Sequence, residues 1–195
     1  MPHKSCGFGV SLFFCWALLG SPATGRAQEA GVAPPWEVRQ NVSALAEQAR
    51  RLEPVLEQLR PAEWVRQGAP EAYATQLKST REQLGGFLDA TGKLTREPER
   101  LTAALEVFFR LDSLGAMLSS LAAGVRKYQN PALADLLESM VAEGAANRER
   151  LRQYVVDLAA DQEQAFKVAD QEAQRCRALL SRQPPAKNAA KKEQR

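Results

Sequence analysis

The sequence predicts an all-α protein: an elongated antiparallel helical bundle or coiled coil of three to four helices, with a long C-terminal helix. Apolar residues recur at steps of three and four through residues 36–181, which is the spacing of one face of an α-helix. No segment alternates polar and apolar residues with the period of two that a half-buried strand shows. Of the 195 residues, 45% are hydrophobic, which suits one helical bundle domain with a modest core.

The first 27 residues have the pattern of a secretory signal peptide. Lys4 gives a positive start, an apolar run follows over residues 6–20, and small residues precede a cleavage point after Ala27. An uncleaved membrane anchor is the alternative, but the run is shorter than the about 20 apolar residues that a spanning helix needs. We therefore expect an exported protein, periplasmic or secreted, whose mature chain begins with a flexible lead-in over residues 28–35.

Removal of the signal peptide narrows the chemistry that the chain can support. The segment carries the only histidine, His3, and two of the three cysteines, so the remainder has no histidine and one cysteine, Cys176. These counts exclude a Ser-His-Asp or Cys-His nucleophile, a His-ligated metal and an intrachain disulfide in the mature chain. We expect no catalytic activity, no cofactor and no metal site.

The positive charge of the chain is concentrated at its two ends. Lys4 and Arg26 lie in the signal peptide, so 26 basic and 23 acidic residues become 24 and 23. The tail over residues 182–195 holds five basic residues and one acidic residue, which leaves 19 and 22 in between. The tail follows two prolines and lacks large apolar residues, so we expect it to be disordered. It is either a solubilising end or a diffuse, salt-sensitive contact for anionic envelope polymers or lipid, without specific nucleic-acid binding.

The first predicted helix runs from Trp36 to Leu59. Its apolar seam advances by steps of 3, 4, 3, 4 and 3 through Val42, Leu45, Ala49, Leu52, Leu56 and Leu59. Pro54 lies inside the helix and cannot donate to the carbonyl of Arg50, which costs about 3 kcal/mol in a helix interior. Because the seam keeps its phase across Pro54, we expect a kinked helix.

A short corner and a second helix follow. Pro61 and Pro70 bracket the corner, where Trp64 and Tyr73 are expected to cover the junction between two helices. Pro70 is a good first residue for the second helix. We expect this helix to run until Gly92, a residue type that commonly ends helices.

The third predicted helix is capped by Thr95 and runs to about Lys127. Its expected inward residues are Leu101, Leu105, Phe108, Leu111, Leu118, Leu121 and Val125. We expect the adjacent pair Phe108 and Phe109 to form the bulkiest point of the core.

Asn130 and Pro131 mark the clearest helix start in the sequence, a capping residue followed by a residue preset for the first helical position. The next proline comes after Ser181, so the last helix would reach about 75 Å if continuous. Its seam begins with Leu133, Leu137, Met140, Leu151, Val155 and Leu158, then thins to Gln162, Ala165, Ala169, Ala173, Cys176 and Leu180. We expect the thinner end to project beyond the other helices.

Cys176 carries the single thiol of the predicted mature chain. Arg175 and Arg177 flank it, and nearby positive charge favours a thiolate, although neighbours on a helix point about 100° away. An odd cysteine in an exported protein can also form an intermolecular disulfide. The alternative is a small inert residue buried on the alanine seam. Cys176 is therefore a candidate intermolecular disulfide, a candidate free thiol, or part of the core.

The densest polar patch of the sequence contains Glu143, Asn147, Arg148 and Arg152. Glu143 and Asn147 are four residues apart on one face of a helix, where they can form a hydrogen-bonded pair that fixes helix register. With Arg148 and Arg152 they can instead line a site for an anionic ligand. A solvated helix surface is the ordinary alternative for such a cluster.

These observations favour an exported helical interaction or scaffold protein that acts through helix–helix contacts, with a protein partner or with a second copy. The thin end of the last helix is the expected docking surface. The alternatives are a small-ligand or thiol-redox module that uses the polar patch or Cys176, and a periplasmic holdase-type chaperone.

Overall fold

The computed structural model describes residues 31–182, and every regular element in that range is a helix. The seven helices are α1 (Pro35–Arg50), α2 (Glu53–Glu57), α3 (Pro61–Arg66), α4 (Ala72–Arg96), α5 (Leu101–Tyr128), α6 (Pro131–Glu143) and α7 (Ala145–Arg182). The all-α prediction is confirmed. Seven helices replace the expected three or four because two of the predicted helices are divided and the corner forms α3. The predicted signal peptide and the tail beyond Arg182 lie outside the described residues, and Arg182 itself ends α7.

The first predicted helix is divided close to Pro54. α1 ends at Arg50 and α2 begins at Glu53, while Arg51 and Leu52 between them keep right-handed helical dihedral angles. The missing amide hydrogen of Pro54 explains the interruption, because the carbonyl of Arg50 loses its helical donor. All six residues of the predicted seam are buried, so the apolar face continues in phase through the interruption.

Part of the predicted flexible lead-in is held against the core. Val32 and Ala33 are half-buried and pack against the hydrophobic cluster. The backbone carbonyl of Pro34 then accepts the amide hydrogen of Glu37 at 3.0 Å, which starts α1 at Pro35. These two residues therefore extend the apolar contacts of the core, and the flexibility of the lead-in stays a prediction.

The boundary between the second and third predicted helices is wrong in position. α4 continues through Gly92 to Arg96, and Thr95 lies inside it with its hydroxyl donating to the carbonyl of Thr91 at 2.8 Å. A glycine costs a helix about 1 kcal/mol relative to alanine. The complete burial of Leu94, one turn before Pro98, outweighs that cost. α5 begins at Leu101 without a side-chain cap.

α4 and α5 run in opposite directions along each other. Near the connection between them, Lys93 Nζ lies 3.5 Å from Glu106 Oε2, and farther away Gln76 Nε2 lies 3.5 Å from the carbonyl of Met117. The C-terminal part of α4 thus lies beside the N-terminal part of α5, and the N-terminal part of α4 lies farther along α5. This is the antiparallel arrangement that a short connection between two helices produces.

The adjacent phenylalanines of α5 do not form the bulkiest point of the core. Phe109 is 62% exposed and Phe108 is only half-buried, whereas Val107 before them is completely buried. Neighbouring residues on a helix point about 100° apart, so the three cannot face inward together. The largest fully buried side chains are instead Trp64 and Phe87.

Aromatic rings fill the junction of α3, α4 and α5, as the sequence predicts. Trp64 and Tyr73 meet edge to face with centroids 5.6 Å apart, and Tyr128 lies 6.2 Å beyond Tyr73. The indole Nε1 of Trp64 donates to Gln129 Oε1 at 3.0 Å. Gly124 makes room for the rings, because a Cβ atom at that position would lie 2.7 Å from Tyr73 Cε1.

The last predicted helix begins as expected and is interrupted once. The side chain of Asn130 accepts the amide hydrogen of Ala132 at 2.9 Å, which caps α6. Gly144, with φ −79° and ψ −7°, then separates α6 from α7. There Gln48 Nε2 of α1 donates to the carbonyl of Met140 at 2.6 Å, and the Gln48 amide lies so close that a Cβ at Gly144 would approach it to 2.7 Å.

Candidate functional site: the projecting arm of α7

The first part of α7 is fixed to the rest of the molecule, which we call the body (residues 31–160). Leu151, Tyr154 and Leu158 are buried on one face, and α7 contacts both α1 and α5. The hydroxyl of Tyr154 donates to the carbonyl of Pro98 in the connection between α4 and α5. Burial raises the pKa of Tyr154.

From Asp161 onward α7 leaves the body. Every residue from 161 to 182 is exposed, and we call this segment the arm. Its 22 residues extend about 33 Å at 1.5 Å per residue. At its base, Gln162 Nε2 donates to the carbonyl of Glu99 at 3.3 Å. The expected projection of the last helix is therefore present in the structure.

The arm carries an apolar stripe along one face, which we call the arm stripe. Its members lie within an arc of about 140° at 100° per residue, in line with buried Leu158: Ala165, Phe166, Ala169, Ala173, Cys176, Leu179 and Leu180. The large members are highly exposed, with Phe166 at 74%, Leu179 at 63% and Leu180 at 67%. The face that packs on α1 and α5 in the body thus continues, uncovered by any described residue, along the arm.

The charges of the arm are divided between its two halves. Residues 161–172 hold one lysine and four acids, Asp161, Glu163, Asp170 and Glu172, for a net charge of −3. Residues 173–182 hold three basic residues and no acid, Arg175, Arg177 and Arg182, for a net charge of +3. No ion pair joins these side chains to another residue in the described range.

Cys176 is exposed on the arm stripe. The alternative of a small residue buried in the core is wrong, because the arm has left the body by this point. The intermolecular disulfide and the free thiol both remain open as predictions.

The polar patch is not one cluster in the structure. Glu143 Oε2 accepts from the Arg51 guanidinium at 2.7 Å, while Arg148 pairs with Asp112 of α5. Arg152 Nε donates to Glu149 Oε2 at 2.9 Å. This hydrogen bond raises the pKa of Arg152 and lowers the pKa of Glu149.

Asn147 also forms hydrogen bonds with residues other than Glu143, its predicted partner. Its side-chain oxygen accepts from the Arg150 guanidinium at 2.9 Å, and its backbone carbonyl accepts from Asn41 Nδ2 of α1 at 3.1 Å. Glu143, Asn147 and Arg148 therefore join different helices through separate contacts, while Arg152 pairs within α7. The structure does not gather the four residues around a common position for an anion.

Two side-chain amides of α1 that were not predicted as site residues reach across to the last two helices. Asn41 and Gln48 are half-buried and bond to the backbone of Asn147 and Met140. They are seven residues apart, the spacing that puts two side chains on one flank of a helical seam. That spacing is the signal that could have identified them. Tyr154, three residues after Leu151, is a buried seam residue that the spacing also allowed.

The interior offers little room near the polar patch. A cavity of about 50 Å³ lies between α1, α5 and the last two helices, lined mainly by apolar side chains together with Gln48, Gly115, Gly144 and Arg148. Small-molecule sites usually measure about 300–1,000 Å³. Residues 31–182 contain no group of three or more side chains placed to hold a metal ion, and no helix among them is both long and apolar enough to span a bilayer.

Comparisons with known proteins add no assignment: no family model, no curated protein and no solved structure matches the chain. The candidate functional site therefore rests on the geometry of the arm alone.

Proposed function

We propose that this protein is an exported interaction or scaffold protein that acts through helix–helix contacts and has no catalytic activity. The observation that carries the proposal is the arm, a helical segment of 22 residues whose apolar stripe is exposed along its whole length. The body is proposed to be an elongated antiparallel bundle that holds the base of the arm in a fixed direction through Leu151, Tyr154 and Leu158.

The energetics of the arm stripe favour a bound state. Burial of a Phe or Leu side chain contributes about 1.5–3 kcal/mol relative to its exposure to water. Phe166, Leu179 and Leu180 leave that contribution unrealised on the isolated chain. Their spacing suits a helical partner, since it continues the face that already packs against two helices of the body.

The alternatives have less support. A small-ligand site at Glu143, Asn147, Arg148 and Arg152 would have to displace the contacts that these residues make with other side chains. A holdase-type chaperone would use the same exposed apolar side chains, but unfolded chains do not require a regular stripe. Thiol-redox chemistry would act from Cys176, which lies on the same stripe.

Photo-crosslinking in the cells that make the protein tests the proposal. Ala169 on the arm stripe and Ala178 on the opposite face are replaced one at a time by p-benzoylphenylalanine, and covalent adducts are identified by mass spectrometry. We expect protein adducts from position 169 at several times the yield from position 178. Equal yields from the two positions, or no protein adduct from position 169, would overturn the proposal.

A further inference from the structure

We propose that the arm binds the arm of a second copy of this chain, and that the two arms run antiparallel. The inference rests on the proposed function, because it names the partner of the same surface. The pairing would be centred near Ala173, where the acidic half of the arm gives way to the basic half.

The division of charge selects the direction of pairing. In an antiparallel pair, residues 161–172 of each copy, with net charge −3, face residues 173–182 of the other, with net charge +3. In a parallel pair, acid would face acid and arginine would face arginine over the same length. Charges beside a helical seam choose partner and orientation in this way, because juxtaposed like charges disfavour the wrong arrangement.

On each side of the arm stripe, the acidic residues come before Ala173 and the arginines come after it. Relative to the centre of the arm stripe, Asp161, Glu172, Arg175 and Arg182 lie to one side, with Asp161 and Glu172 inside its arc, at 100° per residue. Glu163, Asp170 and Arg177 lie to the other side. A two-fold axis perpendicular to the helices brings the same flank of both copies together. Glu172 then lies beside Arg175 of the second copy, and Asp170 lies beside Arg177 of the second copy.

The helix dipole alone does not account for this pattern. Basic residues are favourable at the end of a helix, which accounts for Arg175, Arg177 and Arg182. Acidic residues are favourable at its beginning, yet the first turns of α7 hold Arg148, Arg150 and Arg152. The acids of the arm lie in the middle of the helix, where the dipole gives them no advantage.

The side chains of the arm stripe also suit a close pair. Ala169, Ala173 and Cys176 occupy its centre, and short side chains allow two helix axes to approach closely. Phe166 and Leu180 stand at opposite ends. Antiparallel pairing brings the Phe166 end of each copy to the Leu180 end of the other, so both ends of the interface bury large side chains.

Disulfide trapping distinguishes the two directions. In the proposed pair, Ala169 lies close to Cys176 of the second copy. With the pair centred at Ala173, the two Cys176 residues are offset by about 9 Å along the axis. This offset alone exceeds the about 7 Å limit on the distance between the Cα atoms of a disulfide. In a parallel pair the two Cys176 residues would face each other.

The test uses the full chain with Cys6→Ser and Cys15→Ser, so that Cys176 is its single native thiol. After mild oxidation we expect no covalent dimer from this parent, a covalent dimer from its Ala169→Cys variant, and none when Ala169→Cys is combined with Cys176→Ala. The outward-facing control, Ala178→Cys, should also remain monomeric on a denaturing gel. Helical content by circular dichroism confirms that each variant is folded.

The strength of association is measured separately by sedimentation equilibrium under reducing conditions. We expect Arg175→Glu combined with Arg177→Glu to weaken the dimer roughly tenfold or more, because acid then faces acid. Lys167→Glu, on the face opposite the stripe, should leave the dissociation constant nearly unchanged.

Three results would overturn the inference. A covalent dimer of the parent through Cys176 would establish a parallel pair. A dimer that is insensitive to the paired arginine reversal would remove the role of charge. A monomeric chain without disulfide trapping in any variant would exclude a second copy, and the proposed function would then stand only if position 169 forms photo-adducts with a different protein.

Discussion

Replacement of Gly124 by alanine tests whether the aromatic junction packs as described. Gly124 lies within α5, where alanine by itself would stabilise a helix by about 1 kcal/mol. Its new Cβ would lie 2.7 Å from Tyr73 Cε1 and 3.2 Å from Trp64 Cζ3. Trp64 is 1% exposed and cannot move outward, so we assign the overpacking cost to the upper part of the usual range, about 2–3 kcal/mol. The Gly124→Ala variant should therefore be about 1–2 kcal/mol less stable than the parent.

Gly85→Ala is the matched control. Gly85 lies within α4, and a Cβ there would meet nothing within 4 Å, so this variant should be about 1 kcal/mol more stable than the parent. Urea unfolding, monitored by circular dichroism, measures both changes in the free energy of unfolding when the variants have the same m-value as the parent. When Gly124→Ala is combined with Tyr73→Ala, the ring that obstructs the new methyl is absent, and the added cost of Gly124→Ala should largely disappear. If Gly124→Ala stabilises the protein as much as Gly85→Ala does, the described packing of the junction is wrong.

Four further predictions concern the cap of α6, Tyr154, the arm and export. Asn130→Ala removes the cap of α6 and should lower the free energy of unfolding by about 1 kcal/mol, whereas unchanged urea stability would contradict the cap. Burial raises the pKa of Tyr154 in the folded state above its value in the unfolded state. The contribution of its neutral hydroxyl to the free energy of unfolding is therefore fully present below pH about 10 and is lost as the pH rises through the folded-state pKa. Unfolding between pH 9 and 11, compared with Tyr154→Phe, should show a smaller alkaline loss of stability in the variant. Truncation after Gln162 should change the free energy of unfolding of the body by no more than about 0.5 kcal/mol relative to the intact chain, because the removed residues are exposed. A loss well above about 1 kcal/mol would show that these residues contact the body. Intact mass of the exported protein should place its first residue at Gln28, and a retained Met1 would contradict the signal peptide.

The period of the apolar residues was enough to predict the helical class, because helical burial repeats every three or four residues. It also located the point where the seam of the last helix loses its large apolar residues. The cap at Asn130 was predicted from a different signal, a capping residue followed by proline. Helix ends were harder to predict. Gly92 and Thr95 have the local character of a boundary, but burial of Leu94 outweighs it, and only the tertiary structure reveals that burial.

The ion-pair partners of the polar patch could not be predicted from the sequence, for a related reason. Arg148 pairs with Asp112, 36 residues earlier, and Glu143 pairs with Arg51, 92 residues earlier. Many acids and arginines of the chain have equivalent local surroundings, so pattern alone does not select these pairs. The exposure of Cys176 likewise depends on where α7 leaves the body, which is set by the lengths of α1 and α5 and the connection at Pro98.

The arm is proposed to be an association surface that binds a second copy of this chain. The most direct measurement is the solution mass under reducing conditions, by light scattering, of the intact chain and of the chain truncated after Gln162. We expect twice the chain mass for the intact chain and a single chain mass for the truncated chain. An intact chain that remains monomeric, or a truncated chain that remains dimeric, would contradict it.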